Sequence, residues 1–200
     1  MLDVFLMLGT LLPIAVGHFC FSESIGVRQV LGFVLLLAAV LIMCSYNNAI
    51  KVKLDLPSVL LLIACGAANG VTSASQKAFV RIFSDIPVSL FNFLTYVFAA
   101  LTLVAVFFLM PKREEVSFSV AERKKQHLYI GVMALALTLH SYFTTVAALY
   151  LDSARLYPLS QGASLVLSTL MAALFFGEKL TLKAVVGIIT AFAALLIINL

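Results

Sequence analysis

The chain has 200 residues, 63% hydrophobic and only 11% charged, with a formal net charge of +4 and a mean hydropathy of +1.13. Soluble globular domains carry roughly 25% charged residues, so that class is excluded. Apolar stretches of the ~17–25 residues that cross a bilayer recur instead, which makes the chain an all-α polytopic membrane protein with about seven transmembrane helices. A β-barrel would show short alternating segments.

The first expected span covers residues 4–21 and contains Pro13, which membrane helices tolerate as a kink. Asp3 stands where a signal peptide would be basic, so a cleaved leader is not expected. After the bend Phe21-Ser22-Glu23-Ser24-Ile25, the second span runs over residues 25–46, with Arg28 near enough to its end to snorkel. A polar loop with Lys51, Lys53, Asp55 and Pro57 leads to the third span, residues 56–78. That span turns small and polar in its second half, with Gly66, Asn69, Gly70, Thr72, Ser73, Ser75 and Gln76. Such residues let helices approach closely or line a watery cavity. Asn69, Ser73 and Gln76 share one helix face, which fits either a solute-facing stripe or hydrogen bonds between helices.

The fourth span, residues 88–110, carries Asn92, Thr95 and Tyr96 in its first half. The longest loop follows, residues 111–127, with charges of both signs. In the fifth span, residues 128–150, His140 is a mid-membrane imidazole beside Ser141, Tyr142, Thr144 and Thr145. It fits a titrating or solute-binding group, and equally a neutral histidine bonded to Thr144 or to a neighbouring helix. The sixth span, residues 156–176, holds Pro158, Gln161, Ser164 and Ser168. Gly177-Glu178-Lys179-Leu180-Thr181 forms a tight bend before the seventh, residues 182–200. Gly177 supplies a left-handed residue to close one helix, and Thr181 can cap the next.

The expected substrate-path residues are Asn69, Ser73, Gln76, Asn92, Tyr96, His140, Thr144 and Gln161, with Tyr142 and Tyr150 as further aromatic candidates. Glu23, Gly177, Glu178 and Thr181 are expected to build the bends, the carboxylates being solvated near the interface. Cys20, Cys44 and Cys65 lie in separate apolar segments without metal-ligand spacing and read as small packing residues. No cofactor or metal is implied. A membrane-embedded enzyme would need a reactive constellation, and the chain has no zinc-binding His-Glu-x-x-His, nucleophile elbow or phosphate-binding glycine loop. A retinal-type receptor would need a lysine at mid-depth in a late helix, where only Lys183, at the helix start, is present.

Lys51, Lys53, Lys112, Arg113, Arg123, Lys124, Lys125, Lys179 and Lys183 gather on one face, and Arg28, Lys77, Arg81 and Arg155 on the other. This asymmetry puts the N-terminus in the cytoplasm and the C-terminus outside. It also accounts for the net charge, so the bilayer is the expected partner and nucleic acid is not. The two bends are themselves related. Pairing Glu23 with Glu178 sets an offset of 178 − 23 = 155 residues, at which Phe21 meets Phe176 and Gly32 meets Gly187. Five spans separate the bends, so they lie on opposite faces, as in an inverted-topology repeat.

From Tyr150 through Gly177-Glu178-Lys179-Leu180-Thr181 to Asn199, the sequence resembles the last three helices of EamA-type transporters of the drug/metabolite transporter superfamily. Phe21-Ser22-Glu23-Ser24-Ile25 with Gly32 is similar to the first-half counterpart, with Ser22 where Gly is usual. The resemblance implies a partial inverted-repeat fold: residues 1–50 as the last two helices of a first repeat, and residues 51–200 as a second repeat of five. It also implies a plasma-membrane transporter of small organic solutes, such as metabolites or drugs, working by alternating access. About three helices of the family's usual ten are missing ahead of residue 1, so a homodimer or further helices would complete the cavity wall. A non-transporting remnant, or a partial gene model, is the alternative reading.

Overall fold

A computed structural model describes residues 2–44, 55–109, 120–177 and 181–200. Among these residues the regular structure is entirely α-helical. The helices are α1 (Leu2–Gly9), α2 (Leu11–Phe21), α3 (Val27–Cys44), α4 (Leu56–Ile82), α5 (Val88–Leu109), α6 (Val120–Tyr150), α7 (Ser153–Phe176) and α8 (Leu182–Asn199). Among the described residues, six stretches are long and apolar enough to cross a membrane, α1 and α2 counting as one, and Val27–Met43 is a shorter apolar helix. Large apolar side chains remain exposed on α2 through α8, as lipid contact requires. The protein is an all-α, multi-pass membrane protein.

Three details differ from the sequence reading. The first span is broken at Thr10, whose hydroxyl donates to Met7 O at 2.7 Å. Pro13 has no N–H to offer Gly9 O four residues back, and its ring crowds that carbonyl, so the break falls there. Helix α6 begins at Val120, inside the stretch expected to be loop, and therefore carries Arg123, Lys124 and Lys125 as helical residues. Lys and Arg are good helix formers, and charge alone does not end a helix. Cys20 and Cys65 are exposed rather than packed inside. The side chain of Cys44 lies outside the described residues.

The chain divides into two compact units, Met1–Arg81 with Ala148–Leu200, and Ile82–Ala147. In the first, α3 and α8 form the most extensive helix pair, around a core of Met7, Leu36, Ala39, Val166, Ala191, Ala194 and Ile198. They run antiparallel and meet through small residues. A side chain added at Gly32 would strike Ala194 and Ile198, and one added at Gly187 would strike Met43 and meet Ala39 in ordinary contact. At the 155-residue offset these are the same contacts with the helices exchanged, since 32, 39 and 43 become 187, 194 and 198. The bends obey the offset too. Ser22 (φ 55°) and Gly177 (φ 64°) are the positive-φ residues among those described, and they are 155 apart.

Helix α4 lies against α1 and α2 through glycine. An added carbon at Gly66 would collide with Phe5 O, and one at Gly70 with Gly9 O, so the backbones are in direct contact. This is the close approach that small residues four apart allow in membranes. In the second unit, α5 and α6 are joined by polar bonds. Ser141 Oγ donates to Asn92 Oδ1 at 2.6 Å, and the Tyr96 hydroxyl donates to Leu137 O at 2.9 Å.

Candidate functional site

Two features of the first unit bear on function: a mainly apolar cavity with a few polar groups, and a buried ionic cluster at one end. The cavity holds about 210 Å³ between α1, α3 and α7. Asp3, Gln161, Ser164 and Ser168 supply its polar lining, and Met7 and Val40 are among its apolar walls. The polar residues of α7 recur at 161, 164 and 168, a spacing that keeps them on one helix face. Enclosed cavities of about 150 Å³ hold benzene and most small-molecule sites run to about 300–1,000 Å³, so this space lies between the two. Its mixture of a few polar groups on an apolar wall is the usual make-up of a small-molecule site.

The ionic cluster is built where α2 stops. Ser22 takes the left-handed conformation, and Glu23 N–H donates back to Gly17 O at 3.0 Å, a bond spanning six residues that closes the helix. His18 Nδ1 lies 2.9 Å from Glu23 O. This local geometry turns the Glu23 side chain inward, where it is 6% exposed. Glu23 Oε1 meets Lys77 Nζ at 2.5 Å and Arg81 Nη2 at 3.2 Å, and Oε2 accepts from Ser153 N–H at 2.8 Å. Burial by itself raises the carboxyl pKa. The Lys77 hydrogen bond, the Ser153 backbone N–H and the Lys77 charge outweigh it, so Glu23 is held below its ordinary 4.5.

Lys77 is the most enclosed charge described, with 0% exposure. Besides Glu23 it donates to Ala148 O at 3.1 Å and Leu151 O at 2.8 Å, carbonyls at the end of α6 that have no partner further along the helix. One turn away, the Tyr157 hydroxyl donates to Ser73 O at 2.6 Å, tying α7 to α4. Long-range pairing therefore corrects two expectations. Glu23 is not a solvated bend residue, and Lys77 does not belong with the loop charges. Removing Lys77 from the smaller charge group leaves Arg28, Arg81 and Arg155 there.

The expected substrate-path residues divide between the two units. In the first, Gln161 lines the cavity, and Asn69 Nδ2 donates to Leu6 O at 3.3 Å, joining α4 to α1. Ser73 contributes its carbonyl to the Tyr157 bond, and Gln76 is buried at 6% exposure. In the second, Asn92 is buried and donates to Val88 O at 3.1 Å as well as accepting from Ser141. Tyr96 is bonded across to α6, Thr144 is half-buried, and His140, Tyr142 and Tyr150 are exposed on α6. Of the bend residues, Gly177 is left-handed and Thr181 Oγ1 accepts from Ala184 N–H at 3.4 Å. Glu178 lies outside the described residues.

Residues 56–200 match the model of the EamA-like transporter family. The chain belongs to that family. For an EamA-like chain, transport rather than catalysis is the implied activity; the family match places it in the drug/metabolite transporter superfamily, and its apolar helices agree with a membrane protein. No curated protein and no solved structure matches this EamA-like chain. Sequence reasoning misses Asp3, Ser164 and Ser168 as cavity residues, and it misses the buried pairing of Lys77. Lys77 does leave a signal: it is a lysine one position after a polar stripe, four residues before Arg81, inside a 27-residue helix that has no need to end there.

Proposed function

We propose that this EamA-like chain carries a small organic solute across the plasma membrane, and that the cavity between α1, α3 and α7 is part of its path. The observation that carries the reading is the polar lining of that cavity, Asp3, Gln161, Ser164 and Ser168, set within helices otherwise made for lipid. The exchanged contacts of Gly32 and Gly187 support a mechanism in which two inverted repeats, ending and beginning near residue 50, rock about a shared axis. A metabolite or drug of modest size, with groups that bond to an amide, hydroxyls and a carboxylate, suits such a site.

The test is flux in proteoliposomes containing the full chain, with radiolabelled amino acids and nucleobases as probes. Uptake above that of protein-free vesicles is expected for at least one probe. Ser164→Phe, which fills the cavity from an exposed position on α7, is expected to reduce that uptake at least about tenfold while leaving membrane insertion intact. Unchanged uptake in Ser164→Phe would remove the cavity from the path. Absence of flux for every probe would favour the non-transporting alternative.

A further inference from the structure

The cavity residues leave the buried ionic cluster without a task, and stability is a poor explanation for it. Buried ion pairs replaced by apolar residues of similar volume often give proteins as stable or more so. Lys77 has three ammonium donors, and all three are engaged, by Glu23, Ala148 O and Leu151 O. Glu23 accepts from Lys77, Arg81 and Ser153, three of the roughly four bonds a carboxylate can take. A fully engaged ammonium and a carboxylate this nearly filled are poorly placed to hold a solute. What their bonds do is join three separate segments at one end of the first unit: the α2–α3 bend, the last turns of α4, and the corner between α6 and α7.

Such a cluster has two favourable states and little between them. In one the charges are fully paired and dry. In the other they are separated and hydrated, and partial separation in a low-dielectric interior is costly. Arg81 makes the second state reachable, because its side chain is 42% exposed while the Glu23 side chain it touches is 4% exposed. A guanidinium at the water boundary can keep hold of the carboxylate as Lys77 releases it. His18 on α2 and Tyr157 on α7 are the other titratable groups beside the cluster.

We propose that Glu23, Lys77 and Arg81 form a latch that closes this end of the first unit, and that it opens to let water reach Ser153 when access changes sides. Its place in a transport cycle rests on the function proposed above, whereas its opening does not.

Ser153 reports on the latch because it is 0% exposed. The experiment uses the full chain in membranes, with Cys20, Cys44 and Cys65 changed to Ser and Ser153→Cys introduced, and a membrane-impermeant maleimide as probe. Slow labelling is expected in this parent. Lys77→Gln and Glu23→Gln each remove one charge of the buried pair and leave the other without its ionic partner inside, and they are expected to label about a hundredfold faster. The double variant Glu23→Gln/Lys77→Met leaves neither charge buried, so it guards against a single variant that does not fold. It is expected to melt near the parent and still label fast.

If the introduced thiol stays as protected as in the parent, in a double variant that melts like the parent, the latch is overturned. Proteoliposome flux separates the two proposals. Fast labelling in the variants with no flux of any probe in the parent leaves the latch standing and removes the transport reading. Parent flux together with a protected thiol in the double variant does the reverse.

Discussion

Gly32 and Gly187 occupy equivalent places in the α3–α8 pair, yet alanine should cost very different amounts at the two. An added carbon at Gly32 lies 3.0 Å from Ala194 O and 3.1 Å from Ile198 N, both backbone atoms of α8, in addition to striking the Ile198 side chain. Backbone cannot step aside, so the helices themselves must part. Overpacking of this kind costs roughly 1–3 kcal/mol, against which alanine returns about 1 kcal/mol of helix propensity over glycine. A net loss of up to about 2 kcal/mol is expected for Gly32→Ala. At Gly187 the obstacle is the Met43 side chain, and the nearest backbone atom, Ala39 O, is 3.4 Å away, an ordinary contact. Methionine is unbranched and adapts readily, so its displacement and the propensity gain nearly cancel, and Gly187→Ala should lie within about 0.5 kcal/mol of the parent. Gly131→Ala is the control, since an added carbon there meets nothing within 4 Å. Reversible denaturant unfolding in detergent, followed by circular dichroism, measures all three. A loss at Gly187 equal to or greater than that at Gly32 would refute the reasoning.

Two further outcomes follow from the α2–α3 bend. Ser22 adopts φ 55° without being glycine, a conformation that costs a residue with a side chain roughly 1 kcal/mol, so Ser22→Gly should stabilise the chain by about 0.5–1 kcal/mol in the same assay; a loss would mean that the serine side chain has a role of its own. Because Glu23 titrates below its ordinary 4.5, its contribution is fully present above about pH 4.5 and is lost as pH falls through the lower folded value. The stability gap between the parent and Glu23→Gln should therefore be widest at neutral pH and shrink below about 4.5, and a gap that stays constant down to about pH 3 would show that the carboxylate charge is not what matters.

Much of the architecture can be read from residues alone because it is local. Span length, the left-handed Gly177 and the Thr181 cap each depend on a few neighbouring positions, and the relation between Gly32 and Gly187 is a counting exercise. The start of α6 escapes such a reading because a charged run looks like a loop when only hydropathy is followed, although lysine and arginine continue a helix without difficulty. The partners of Lys77 are invisible for another reason. Glu23 is 54 positions before it, and Leu151 O is 74 positions after. Nothing in spacing announces a contact of that range, and a lysine near a helix end reads as snorkelling unless its burial is known. Gln161 is legible as a polar residue in an apolar span, whereas Asp3, which shares its cavity, looks like a terminal charge of no consequence.

The glycine face of α4 has one more consequence. A surface of interlocking side chains fixes how far one helix is advanced along another, because each knob fits one hole. Gly66 and Gly70 offer α1 and α2 no knobs, and being four residues apart they repeat about every 6 Å, close to one helical turn. The contact therefore sets how near the helices lie but does little to choose their axial register. That choice falls to the directional bonds along the same helix: Asn69 to Leu6 O, Tyr157 to Ser73 O, and Lys77 to Glu23. In α4, glycine supplies proximity and the polar residues supply position.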